Sequence, residues 1–160
     1  MVMKMDGQLL PLSKWQPECC SIAMAMDVVG TRSAILLLRE AFYGTTRFDD
    51  FARRAGITEA VAAARLRDLV TAGVFGKRPY RSPGQRTRSE YVLTEKGKAL
   101  LPALMALMQW GDTHLQDDGG PLEIVDDQTG SSVRVQLRTD EGAEVGLDDL
   151  RVRVNRHSGA

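Results

Sequence analysis

Apolar residues recur at helical spacing through the first two thirds of this chain and then alternate with polar ones. Ile35, Leu36, Leu37 and Leu38, followed by Phe42, make a helix that is apolar on several sides, as expected of the most buried one. Phe48, Phe51, Ala52 and Ala55 recur at i, i+3, i+4 and i+7, the stripe of a helix packed on one face. Gly56 is its stop and Thr58 the cap of the next helix, from Glu59 to Ala72, which Gly73 ends. Ala62, Leu66, Leu69 and Val70 fall on the inner side of that helix, leaving Ala60, Ala64 and Arg67 outward with Ala63 and Arg65 on the flanks. A short helix from Cys20 to Val29 precedes all of these, and Gly30 is expected to close it in the left-handed conformation. Two helices meeting at a short glycine turn make a helix-turn-helix unit.

Behind that unit, the β-propensity runs Val74 to Arg81 and Ser89 to Leu93 flank a loop containing Pro83 and Gly84, which predicts a hairpin wing. Thr94 caps a following helix with Glu95 in its first turn. Leu100, Leu104, Leu107, Met108, Gly111 and Leu115 then lie along one stripe of a long helix that Pro102 is expected to bend. From residue 122 the pattern alternates through Leu122 and Ile124, Val133, Val135 and Leu137, then Leu150, Val152 and Val154, and predicts a small three-stranded antiparallel meander. The expected fold is therefore mainly α with a β wing: an arm over residues 1–19, a winged helix-turn-helix domain for DNA binding and dimerisation over 20–115, and a β-rich acidic extension over 116–160.

Composition adds a bound and charge adds a direction. The chain has 160 residues, 43 % of them apolar, enough for one genuine core with an appendage. No window approaches a transmembrane length, so the cytoplasm is the expected compartment. Net charge is zero, but its distribution is uneven. From Arg32 to Lys98 fourteen Lys and Arg stand against seven Asp and Glu, whereas from Asp112 to Leu150 two stand against eleven. Screening makes the local sign matter more than the total, so the middle of the chain suits a polyanion and the tail does not.

The opening CSIAMAMDVVGTR (Cys20 to Arg32), R-L-R at Arg65 to Arg67, R-P-Y at Arg78 to Tyr80 and E-Y-V-L-T-E-K-G at Glu90 to Gly97, in that order and spacing, resemble the HxlR-type family of bacterial transcription regulators. The resemblance covers about half the chain and continues more weakly to Trp110 and Gly111. It implies a MarR-like winged helix-turn-helix, a homodimer, and more often repression than activation. Longer members of the family carry paired cysteines in tails of similar layout. Here neither thiol nor histidine stands near Thr129 to Gly130 or Asp140 to Gly142, so no zinc is expected there.

Candidate chemistry follows from these placements. Arg47, Arg53, Arg54, Arg65, Arg67, Lys77 and Arg78 are the expected phosphate contacts, with Arg67 and its neighbours Arg65 and Thr58 the candidates for base edges. Ala60 and Ala63 stand where the resembled family is often polar or basic. Either these methyls meet thymine methyls while Arg86 or Arg88 of the wing enters a narrow minor groove, or specificity is weakened; both readings stay open. Cys20 occupies the helix-start position where the family carries its cysteine, and a helix N-terminus stabilises a thiolate, which makes Cys20 a redox candidate with Cys19 as its resolving thiol. The alternative is a pair of reduced thiols that simply pack.

Leu104, Leu107, Met108, Trp110 and Leu115 are the candidate dimer seam, unless that stripe packs within its own subunit. Met24, Met26, Met105 and Met108 suit either an adaptable pocket for a small-molecule effector or ordinary core. His114 and His157 have no catalytic partner by spacing, so neither an enzyme nor a metal or cofactor site is expected. The sequence thus points to a DNA-binding regulator acting as a homodimer on a pseudo-palindromic double-stranded operator, possible responses being to a small molecule or to thiol oxidation. The competing class is a protein-interaction module that keeps the winged-helix scaffold without reading DNA.

Overall fold

Three aromatic rings meeting edge to face fix the centre of the protein. In the computed structural model, which describes residues 3–11, 20–81 and 87–154, Phe51 lies 5.8 Å from Phe75 and 6.2 Å from Tyr91 between ring centroids, and Phe75 lies 6.5 Å from Tyr91. One ring comes from a helix and two from a hairpin, so the trio joins the two halves of a winged helix-turn-helix.

The described elements run β1 (Lys4–Met5), α1 (Ser21–Val29), α2 (Arg32–Phe42), α3 (Phe48–Ala55), α4 (Glu59–Thr71), β2 (Phe75–Tyr80), β3 (Arg88–Leu93), α5 (Glu95–Lys98), α6 (Leu101–His114) and β4 (Arg151–Val152), with 3-10 turns at Gly7–Leu9 and Leu147–Asp149. They divide into two compact units, residues 21–134 and a smaller one formed by 1–20 with 135–160.

In the larger unit Leu37, Leu38, Phe51, Leu66, Leu69, Val74 and Phe75 are fully buried, and α2 is the central helix, as its apolar run predicts. Gly56 and Gly73 take φ +63° and +73° after α3 and α4, matching their expected role as stops. Gly30 does not: its φ is not positive, and a Cβ there would collide with the Met26 carbonyl, so glycine is required by close approach, not by handedness. The chain bends 77° between α1 and α2 at that point. Gly97 has the same kind of reason, because a Cβ would collide with the Val74 carbonyl where α5 crosses the start of β2. Thr94 caps α5 as predicted, its Oγ1 accepting from Gly97 N at 3.1 Å.

Pro102 corrects a second expectation. It sits in the first turn of α6, where its missing N–H has no partner to lose, so it starts the helix instead of bending it. The alternating tail forms shorter pairings than its pattern suggests. Antiparallel bridges join Val125 to Ser132 in the larger unit and Arg138 to Glu144 in the smaller. β4 pairs in parallel with β1, Lys4 opposite Arg151, so the segment read as an arm supplies a strand. Among the described residues no single helix is long and apolar enough to cross a membrane.

Candidate nucleic-acid interface

Helix α4 is held by its inner face and offers the other. Thr58 Oγ1 accepts from Val61 N at 3.3 Å, capping the helix as expected. Ala62, Leu66 and Leu69 are fully buried, while Glu59, Ala60, Val61, Ala63 and Arg67 are exposed. Ala64, expected outward, is half-buried like Arg65, whereas Ala63, expected on the flank, is exposed. Val61, 43 % exposed, adds an apolar side chain that the pattern of alanines concealed. Arg65 pairs with Asp68 at 3.1 Å, and its Nε is buried without a hydrogen-bond partner. Arg67 is exposed and has no ion pair among the described residues.

The wing is registered to the turn before α3. β2 and β3 pair antiparallel from Phe75 opposite Leu93 to Tyr80 opposite Arg88. Arg78 and Glu90 are directly opposed, and Arg78 Nε donates to Glu90 Oε1 at 2.8 Å. That bond, then one from Thr46, holds the Glu90 carboxyl below its ordinary value. Tyr91 N donates to the Thr46 carbonyl at 2.8 Å, and the Arg47 guanidinium lies 4.9 Å from the centroid of Tyr80. Lys77 covers the Tyr91 ring at 5.7 Å. Arg88 is exposed at the outer end of the hairpin. Arg86 and the Pro83–Gly84 loop lie outside the described residues.

Where the turn after α2 meets α3, a polar cleft of about 300 Å³ is lined by residues 43–47 with Asp50, Arg53 and Arg54. Arg53 Nη2 donates to Asp50 Oδ1 at 2.5 Å. Arg54 donates instead to Glu40, a buried carboxylate on α2 that also takes Arg39. Burial pushes the Glu40 carboxyl up, but the hydrogen bonds and charges of Arg54 and Arg39 outweigh it and hold the group below 4.5. Sequence reasoning missed Glu40, since a lone helical glutamate reads as surface. The turn, the cleft and the wing together carry Arg47, Arg53, Arg54, Lys77, Arg78 and Arg88, an arrangement of donors suited to anionic oxygens.

The remaining candidates fall on α6 and at the start of α1. Leu107, Trp110 and Leu115 are exposed at 57, 56 and 70 %, while Leu104 and Met108 are half-buried. A groove of about 450 Å³ runs between α2 and α6. Met105 and Met108 line it but Met24 and Met26 do not; the latter are exposed on α1, so the four methionines do not share one pocket. Cys20 is half-buried, one residue before α1, and forms no disulfide among the described residues; Cys19 lies outside them. No group of three potential metal ligands occurs among the described residues.

Comparison with known proteins places these features among relatives. A family model described as an HxlR-like helix-turn-helix matches residues 28–119. An uncharacterised HTH-type transcriptional regulator of Mycobacterium tuberculosis, Rv3095, is 46 % identical over 101 residues, 63 % of each chain. This chain thus spans less than two thirds of that relative's length. Among solved structures, PA1607, a candidate transcription factor, is 37 % identical with TM-score 0.74 and covers 88 % of this chain and 96 % of its own. The redox regulator HypR in its reduced form is 26 % identical with TM-score 0.54, over 61 % of this chain and 95 % of its own.

Proposed function

This chain belongs to the HxlR-like helix-turn-helix family, and from that premise we propose that it is a DNA-binding transcriptional regulator. The observation that carries the reading is the joining of wing and turn: the Tyr91–Thr46 hydrogen bond and the Arg47–Tyr80 stack hold the arginine-bearing segments beside a helix packed only on its inner face. In this reading α4 enters the major groove with Arg67, Arg65 and Thr58 toward base edges. Arg47, Arg53, Arg54, Lys77 and Arg78 engage phosphates, and the wing with Arg86 and Arg88 lies on the adjacent backbone or minor groove. Binding to the duplex upstream of the protein's own gene, compared with a scrambled duplex over a salt series, tests it. Binding that ignores both sequence and salt would refute it.

The functional unit in this reading is a homodimer that represses by occupying a pseudo-palindromic operator. The exposed Leu107 and Trp110 on α6 and Leu115 just after it, continuing the stripe through Leu104 and Met108, support a two-fold seam there, and a monomer by light scattering would refute it. The likeness to a redox regulator supports a response through Cys20, with Cys19 as second thiol. Cys20→Ser should then leave reduced binding intact and abolish the response to oxidant. The α2–α6 groove supports a small apolar effector.

One observation favours a second reading. Ala60, Val61 and Ala63 give the outward face of α4 no hydrogen-bonding groups, which also suits a protein-interaction module. Weak, sequence-independent binding by the intact protein would favour that module.

A further inference from the structure

Among the described residues, Glu40 is the one charged side chain in the buried set, at 3 % exposure. Its two oxygens are divided between two arginines. Oε1 accepts from Arg39 Nε at 3.0 Å and Nη2 at 2.6 Å, and Oε2 accepts from Arg54 Nε at 2.6 Å. Arg39 Nη2 also reaches the Arg54 carbonyl at 3.5 Å, so the cluster ties the end of α2 to the end of α3. Burying a carboxylate is costly unless it is paired, and two cations around one anion leave the cluster net positive.

Arg54 is used on one edge. A guanidinium is a planar fork with donors on more than one side, so a carboxylate at Nε leaves the terminal nitrogens available. Those nitrogens have no hydrogen-bond partner among the described residues, and the side chain is 49 % exposed. Arg54 also lines the polar cleft with Arg47 and Arg53. Glu40 therefore stands behind a cation that lines a polar cleft, whose one lining carboxylate, Asp50, is paired with Arg53.

We propose that Glu40 is a positioning residue for DNA binding: by holding the Nε of Arg54 it aims the terminal nitrogens into the cleft where the turn after α2 meets α3 and so builds a fixed seat for one backbone phosphate. This rests on the DNA-binding reading above and adds the residue that orients the contact. Lysine substitutes poorly, because its ammonium is a flexible point charge without the planar fork, and one drawn onto the buried Glu40 carboxylate is no longer held toward the cleft.

The test uses the full chain and a duplex of about three helical turns without an operator, titrated across salt, with Glu40→Gln, Arg54→Gln, their double variant and Arg54→Lys. Glu40→Gln and Arg54→Gln should each flatten the salt slope by about 0.9 per bound subunit, about 1.8 for the homodimer, and weaken binding about eight-fold per subunit at 0.1 M salt, the loss of one phosphate contact in each. The double variant should bind no worse than Arg54→Gln, and Arg54→Lys should match Arg54→Gln. A wild-type slope in folded Glu40→Gln, additive losses in the double variant, or a wild-type slope in Arg54→Lys overturns the proposal. Should Glu40→Gln fail to fold, the exposed Arg54→Lys decides alone. A wild-type protein with no salt-dependent binding overturns the DNA-binding reading itself, whereas a steep wild-type slope with unaffected variants overturns only the role of Glu40.

Discussion

The outward face of α4 and the segments beside it are built from opposite materials. The helix offers Ala60, Val61, Ala63 and Arg67 to solvent, while the turn, cleft and wing carry Arg47, Arg53, Arg54, Lys77, Arg78 and Arg88. Between Glu59 and Arg67 the exposed side chains of the helix are methyl-bearing, whereas the cations of the other surface are mostly guanidinium. Phosphate contacts supply affinity without sequence information, and base edges supply the information. In the DNA-binding reading the protein therefore has a strong means of holding a duplex and a sparse one of reading it, so shape and thymine methyls take a larger share of recognition than hydrogen bonds do.

The largest change to both surfaces is expected from their shared support. Phe51→Ala removes the ring that touches Phe75 and Tyr91 and should cost about 3–5 kcal/mol, read as a lowered midpoint in urea unfolding. Arg67→Ala should reduce discrimination between the operator and a single-base variant by about 1–3 kcal/mol while leaving binding to scrambled DNA little changed. Equal losses on both duplexes would move Arg67 from reading to holding. Arg47→Ala should do the reverse, weakening all duplexes alike and flattening the salt slope by about 0.9 per bound subunit.

The smallest effect expected concerns pH. The Glu40 carboxyl is held below its ordinary value of 4.5 in the folded protein. A depressed carboxyl contributes stability that is fully present above the unfolded value and is lost as pH falls through the folded one. Unfolding midpoints of the wild type should therefore drop as pH falls below 4.5, and Glu40→Gln should show a smaller drop over the same window. Parallel curves for the two proteins would mean that Glu40 is not paired as described.

Legibility from the sequence followed the length of the pattern. α2, α3 and α4 announce themselves because each repeats an apolar stripe over two or more turns, and Gly56, Thr58 and Thr94 mark ends by local chemistry. β1 and β4 are two residues each, too short to alternate, and their pairing joins positions at opposite ends of the chain. Gly30 was legible as a constraint but not as the right one, since close approach to Met26 leaves no mark in a single sequence. Pro102 was read one helical turn out of context, because the break between α5 and α6 interrupts a stripe that appears continuous.

The candidate site shows the same limit. Its arginines were legible as a group, but which of them pair internally was not. Arg54 and Glu40 are fourteen residues apart, and the contact depends on how α2 crosses α3. Likewise Arg65 has an acid one turn ahead and Arg78 has Glu90 across the hairpin, whereas Arg67 has neither.

The most direct test is the affinity of the intact, reduced protein for the duplex upstream of its own gene and for a scrambled duplex of equal length, measured across a salt series. Binding to the upstream duplex should be the tighter, with a linear fall of log K with log salt for both duplexes. Equal binding to the two, unchanged by salt, would contradict it and turn the face of α4 into a surface for proteins.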